Sequence, residues 1–231
     1  MRTEDLIEAL AADGTPVRPL ASPMVRLCGW LAVSAAYAAL IVLVMGLRPD
    51  IQSRLADTRF VVELGATFMT SVLAAAAAFC AGCPGRSAWE RFAPLPALGL
   101  WFWSLGEGCW RSFVQGGAQG LEFQLDLACL PSILLVSVVP GVLIFVMIRR
   151  GAPIAPISTT ALAALAAASL GATALRLFHA QDASVMLLVW QFGSVAILAG
   201  LGALTGRHIL RWPEPQIATQ SADGSYTRNR S

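Results

Sequence analysis

The 231-residue chain contains no lysine, and all sixteen of its basic residues are arginine. Charge of either sign is scarce: 13% of residues are charged, against about 25% in soluble domains. That shortage excludes an ordinary water-solvated surface. With 56% hydrophobic residues and a mean hydropathy of +0.65, a bilayer is the solvent that fits. The net charge is only +2, and no basic stripe is long enough to track a nucleic acid, so no direct nucleic-acid contact is expected. No secretory signal peptide is expected at the start of the chain. Residues 1–20 are polar and hold four carboxylates, which reads as a short cytoplasmic segment ahead of a first span. Enrichment in Arg, Ala, Gly and Pro accompanies GC-rich bacterial genomes, an association rather than a physical argument.

Crossing about 30 Å of hydrocarbon takes roughly twenty apolar residues in a helix. Six stretches qualify: residues 24–47, 61–81, 94–110, 127–148, 157–178 and 185–205. Arg48-Pro49-Asp50, Cys83-Pro84-Gly85 and Arg149-Arg150-Gly151 stop three of them, and Pro94 and Pro96 suit the first turn of another. Pro131 and Pro140 fall inside the fourth and kink it. The expected fold is an all-α membrane protein, a six-transmembrane-helix bundle preceded by a short cytoplasmic N-terminal helix. Its parts are an amphipathic segment over 1–23, the membrane domain over 24–212 and a polar, disordered cytoplasmic tail over 213–231. The two termini with Arg26 at the head of the first span, residues 82–93 and residues 149–156 carry eleven of the sixteen arginines. The positive-inside rule therefore places both ends in the cytoplasm. Trp101, Trp103, Trp110 and Trp212 either mark interfaces or pack between helices. The alanine-rich runs in the second and fifth spans let backbones approach closely, so these helices are expected at the centre.

Topology sorts the five cysteines. Cys109 and Cys129 flank one outer loop, Cys28 lies near the inner end of the first span, and Cys80 and Cys83 form a C-x-x-C at the inner end of the second. Neighbouring helices about 8 to 10 Å apart can bring Cys109 and Cys129 within the roughly 4.4 to 6.8 Å a disulfide spans. The outer face is oxidising enough to keep such a bond. A reactive pair and two small apolar core residues fit the sequence equally. A single C-x-x-C is weak evidence for zinc, and reads first as a helix end carrying two thiols. Glu107, Arg176, His179 and Asp182 form an outer polar cluster. Arg176 can pair with Glu107 or Asp182, since ionisable groups at membrane depth are costly and pair or serve a function. Together with Asp126, Cys109 and Cys129 the cluster has donors for a soft metal, or is a plain ion-paired lid.

Residues 3–14 read as a short helix capped by Thr3, with acids in its first turn and Gly14 at its stop. Leu6 and Leu10 share one face and Ile7 flanks it. An apolar stripe backed by acids suits a partner's groove better than an anionic membrane surface. Packing on the chain's own loops is the alternative.

Several stretches taken in order resemble the NrsF family of bacterial anti-sigma factors. They are Asp5-Leu6-Ile7-Glu8-Ala9-Leu10-Ala11-Ala12-Asp13 with Pro16-Val17-Arg18; Gly108-Cys109; Cys129; Arg149-Arg150-Gly151-Ala152-Pro153; Leu175-Arg176-Leu177-Phe178-His179 with Asp182, Met186 and Trp190; and Gly202-Ala203-Leu204-Thr205-Gly206-Arg207. The resemblance runs from about residue 3 to residue 212. Gln191 stands where the resemblance leads one to expect histidine, and the Cys80/Cys83 pair falls outside it. The resemblance implies a six-span inner-membrane protein, without catalysis or cofactor, that holds an extracytoplasmic-function sigma factor away from RNA polymerase. Leu6, Ile7, Leu10 and Asp13 would bind that partner, and Cys109 and Cys129 would sense oxidative or heavy-metal stress. The reading from another class is a membrane thiol-disulfide oxidoreductase coupled to quinone. It needs a C-x-x-C on the oxidising face, whereas arginine bias puts Cys80 and Cys83 inside. A small transporter would need broken helices or mid-membrane charges that are not evident.

Overall fold

The computed structural model describes residues 2–12, 20–83, 85–117, 129–151, 155–179 and 187–209, all helical or connecting. Among the described residues eight α-helices follow one another: α1 (Thr3–Ala12), α2 (Pro23–Met45), α3 (Ile51–Ala56), α4 (Thr58–Ala81), α5 (Leu95–Gly116), α6 (Cys129–Arg149), α7 (Pro156–Phe178) and α8 (Gly193–Ile209). A 3₁₀ turn, Ala88–Phe92, precedes α5, and a π-helical segment, Leu187–Phe192, leads into α8.

Local chemistry sets the ends. Ser22 caps α2 by accepting the Val25 N–H, and a proline occupies the first turn, where no N–H is needed. The helix stops at Gly46, whose φ of +82° favours a residue without Cβ. Asp57 caps α4 by accepting from Arg59 N–H at 3.0 Å. Pro156 opens α7 in the same way that Pro23 opens α2.

Among the described residues four helices are long and apolar enough to cross a membrane: α2, α4, α6 and α7. Among the described residues the other two expected spans do not meet both criteria. The helix α5 is 22 residues long, but its second half carries Glu107 and Arg111. The last stretch is divided between the π segment and the 17-residue α8. The outward faces are nevertheless apolar, with Leu43, Val44, Trp103 and Leu204 all at 70% exposure or more. Such patches do not persist against water, but they suit acyl chains.

The core lies around α7. It packs against α4, α6, α8 and α2, and 67% of its most apolar window is buried, against 28% for α2. Small residues make this possible. Ala74, Ala75, Ala78, Ala163 and Ala166 are fully buried between α4 and α7. A Cβ added at Gly202 would lie 2.6 Å from Ala164 Cβ and 2.9 Å from the Thr160 carbonyl oxygen, so α8 rests directly on the α7 backbone. On the other side, α2 donates to the α6 backbone beside its internal proline. Trp30 Nε1 donates to the Pro140 carbonyl and Tyr37 Oη to the Leu135 carbonyl, each at 2.9 Å. These bonds tie α2 to α6 on both sides of the turn in which Pro140 leaves the Val136 carbonyl without its helical donor.

Candidate functional site

The start of α4, the end of α7 and the α2–α4 connection meet at one end of the bundle and bring ionisable side chains into an apolar setting. Glu63, 4% exposed, lies one helical turn after Arg59 on α4. Its Oε1 accepts from Arg59 Nε at 3.0 Å, and its Oε2 accepts from Arg176 Nη2 of α7 at 2.9 Å. The Glu63–Arg176 pair is buried on both sides. Removing one partner of such a pair strands a charge, at a cost of about 3–5 kcal/mol. Arg59 also donates through Nη2 to the Ser104 carbonyl of α5 at 3.3 Å. The carboxylate of Glu63 and the guanidinium of Arg59 therefore tie α4, α5 and α7 together.

A second layer covers the first. The Arg176 guanidinium lies 4.8 Å from the centre of the Phe60 ring, and that of Arg48 lies 5.8 Å from it, within cation–π range. Arg48 grips Asp50 with a fork, Nε to Oδ1 at 2.7 Å and Nη2 to Oδ2 at 2.9 Å. Arg54 Nε joins at Asp50 Oδ2, 3.1 Å away. These two guanidinium groups hold the Asp50 carboxyl well below the usual carboxylate range. Arg48 further fastens the end of α7. Its backbone N–H donates to the Leu177 carbonyl at 3.0 Å, and its Nη1 to the His179 carbonyl at 3.5 Å.

The residues singled out from sequence are distributed as follows. Arg176 pairs with Glu63 rather than with Glu107. Glu107 lies on the outer side of α5 and is taken by Arg111 one turn on, with Nη2 to Oε1 at 2.6 Å. Asp182, Asp126 and Asp13 lie outside the described residues. His179 caps α7 and offers its carbonyl to Arg48. Cys109 is a half-buried free thiol on α5, within electrostatic reach of Arg59 and Glu63. Cys129 is the first residue of α6, and its side chain is not among those described. Among the described residues no three His, Cys, Asp or Glu side chains are grouped to hold a metal. Gln191, in the π segment, is 2% exposed and donates through Nε2 to the Ala172 carbonyl at 2.7 Å. On α1, Ile7 is exposed and the Arg2 N–H donates to Asp5 Oδ2. Leu6 and Leu10 belong to the same helix.

Sequence reasoning missed Glu63, Arg59, Phe60, Arg48 and Asp50 as members of the cluster. One signal was available: Glu63 is the only carboxylate of α4, stands in an otherwise apolar stretch and follows Arg59 by four residues, a spacing that faces the pair together. Its α7 partner, 113 residues away, leaves no local trace.

Helices that are apolar outside and carry ion pairs inside at one end define a multi-pass helical membrane protein without a recognisable catalytic constellation among the described residues. The chain belongs to the NrsF family: the family description, negative regulator of sigma F, matches residues 10–212. It is thus a membrane-associated negative regulator of a sigma factor. No curated protein and no solved structure matches the chain.

Proposed function

We propose that the chain is an integral inner-membrane anti-sigma factor that sequesters an extracytoplasmic-function sigma factor and releases it when oxidative or heavy-metal stress alters Cys109 and Cys129. In this reading it crosses the bilayer six times with both termini in the cytoplasm. The two extra crossings are α5, 22 residues or about 33 Å at 1.5 Å per residue, and the π segment continued by α8. The partner docks on α1 through Leu6, Ile7, Leu10 and Asp13, and the thiols lie on the outer face.

The observation that carries this reading is the position of Cys109 beside the Arg59–Glu63–Arg176 relay. A change at one thiol of α5 acts on a guanidinium of α4, and α4 shares its carboxylate with α7, the most buried of the four long apolar helices among the described residues. Oxidation of Cys109 and Cys129 by a peroxide removes two electrons and two protons, joins the sulfurs and reduces the peroxide to water. A soft metal ion would instead displace the thiol protons. Either event alters what Arg59 meets on the α5 side. For such an event to release the partner, the holding and releasing states must differ in their response to it by about 1–3 kcal/mol. A buried ion pair is a suitable two-state element, because it is costly when half-made.

Deleting residues 2–12 tests the docking site. The truncated protein should reach the membrane at normal level and lose co-purification of the sigma factor. Retained co-purification contradicts docking on α1. The Cys109→Ser/Cys129→Ser double variant should hold the partner and no longer release it under stress. An unaltered transcriptional response in that variant removes the sensing role.

A further inference from the structure

The opposite end of α4 carries the C-x-x-C that the regulator reading leaves unused. We infer that Cys80 and Cys83 are a redox-active dithiol, a modification site that closes to a disulfide on reaction with a peroxide. The inference stands independently of the role given to Cys109 and Cys129.

Cys80 lies in the last turn of α4, and Cys83 just past its Gly82 cap. The Cys83 N–H donates to the Cys80 carbonyl at 3.0 Å. This closes a four-residue turn, whose end Cα atoms lie within about 7 Å, and a disulfide needs about 4.4 to 6.8 Å. Both thiols line one cleft of 140 Å³, which Arg86, Glu90 and Ser158 share. Cys80 also lines a second cleft of 300 Å³ that runs to Ser22 and Pro23 at the head of α2. A peroxide therefore has a way in, and the two sulfurs have a common space in which to meet.

Cations stand beside both sulfurs. Arg86 Nη2 donates to Cys80 Sγ at 3.4 Å. Glu90 faces the same thiol and is itself held by Arg86 Nε at 3.0 Å. Arg26 is 5% exposed and within electrostatic reach of Cys83. Its Nη2 donates to the Met147 carbonyl at 2.5 Å, while no partner among the described residues reaches its Nη1. Each guanidinium can pair with its sulfur once that sulfur gives up its proton, while the Glu90 carboxylate beside Cys80 opposes that charge. A buried guanidinium with one donor unpartnered among the described residues thus stands near one thiol, and a hydrogen-bonded guanidinium at the other.

The step balances. The Cys80 thiolate attacks a peroxide oxygen, the O–O bond breaks, and Cys80 becomes a sulfenic acid as hydroxide or alkoxide leaves. The Cys83 thiolate then attacks that sulfur, the S–S bond forms, and hydroxide leaves. Two thiols lose two electrons and two protons in all, and the peroxide is reduced. Closure takes Cys80 Sγ away from Arg86 and the Cys83 thiol away from the Phe79 carbonyl, its acceptor at 3.6 Å. The turn carrying Arg86 and Glu90 then loses its sulfur tether to α4.

The test uses the full-length protein in membranes. Hydrogen peroxide is added in steps, free thiols are trapped by alkylation, and peptides are read by mass spectrometry. The expected result is a Cys80–Cys83 disulfide that forms at doses leaving exposed Cys28 fully alkylatable, and that dithiothreitol reverses. Cys83→Ser should lose the disulfide and accumulate a Cys80 sulfenic acid trapped by dimedone. Arg86→Gln should slow the oxidation and Arg86→Lys should restore it. Alkylation of Cys80 and Cys83 to the same extent as Cys28 at every dose would overturn the inference, and so would a disulfide joining Cys80 to any residue other than Cys83.

Discussion

The two ends of the helix bundle accommodate buried arginine in different ways. At one end Arg48, Arg54, Arg59 and Arg176 each meet a carboxylate, either Asp50 or Glu63. At the other end Arg26, as buried at 5% exposure as Arg176 at 7%, meets the Met147 carbonyl and the Phe79 ring, 4.7 Å from its centre. A guanidinium matched to a buried carboxylate creates mutual dependence: loss of either group strands the other. A guanidinium held by a backbone dipole and a ring face strands no opposite charge when it is removed. The first arrangement can pass a disturbance between helices, as a regulator requires. The second anchors one helix to its neighbours and leaves its Nη1 without a partner among the described residues.

The largest expected effect follows from that contrast. Glu63→Ala should cost about 3–5 kcal/mol of stability, because Arg176 stays buried without its carboxylate. Thermal unfolding in detergent measures this. The Glu63→Leu/Arg176→Met double variant should regain most of the loss, and a single variant that melts like the parent would break the comparison. Next comes close packing near the Arg26 end. Gly202→Ala places a methyl 2.6 Å from Ala164 Cβ and should cost about 1–3 kcal/mol through overpacking. Gly65→Ala meets nothing within 4 Å and should be neutral or stabilising by up to about 1 kcal/mol. Equal melting of these two variants would contradict the α7–α8 contact. A smaller effect is expected at Arg26 itself. Arg26→Met should cost about 1 kcal/mol, the scale of one lost hydrogen bond with its charge removed as well. A loss as large as that of Arg176→Met would erase the distinction between the ends.

The smallest effect is a matter of pH. Arg48 and Arg54 hold Asp50 ionised in the folded protein to lower pH than in the unfolded chain. A carboxyl with a depressed folded pKa contributes stability above its unfolded value, and that contribution fades as protons bind the unfolded state more tightly. The wild type should therefore lose this contribution as pH falls below the ordinary value of 3.8. Asp50→Asn should lack it at every pH and show a shallower acid limb in a detergent melting series. Parallel acid limbs would place Asp50 outside the arginine fork.

The apolar spans were legible because two local signals coincide, long runs without charge and proline or glycine at their ends. The stretch 157–178 corresponds to α7, Pro156–Phe178, and 61–81 to α4, which starts three residues earlier at Thr58. Where amphipathic character replaces a uniform run, the signal weakens. The third stretch continues six residues past Trp110 to Gly116, because Glu107 and Arg111 support each other across one turn. The short helix α3 inside the connection after Arg48 left no hydropathy trace at all. Of the candidate site, the sequence marked Arg176 as a charge in need of a partner, and Cys109 and His179 as members of the same end. It did not mark Glu63 as that partner, since pairing across two helices depends on which faces the alanine-rich surfaces of α4 and α7 bring together. The C-x-x-C was visible from the start. Arg26 near it was not, because Arg26 lies on α2 and only the packing of α2 against α4 brings it near.

The account depends most on the two ends facing opposite sides of the membrane, with the Cys109 relay outside and α1 inside. Two exposed positions read this directly in a cysteine-free background: Gln52→Cys on α3, beside the Arg48 fork, and Ser87→Cys beside Arg86. A membrane-impermeant maleimide added to spheroplasts should label Gln52→Cys at once and Ser87→Cys only after lysis. Labelling of both before lysis, or of Ser87→Cys alone, would contradict the passage of a signal from the thiol of α5 to a partner held in the cytoplasm.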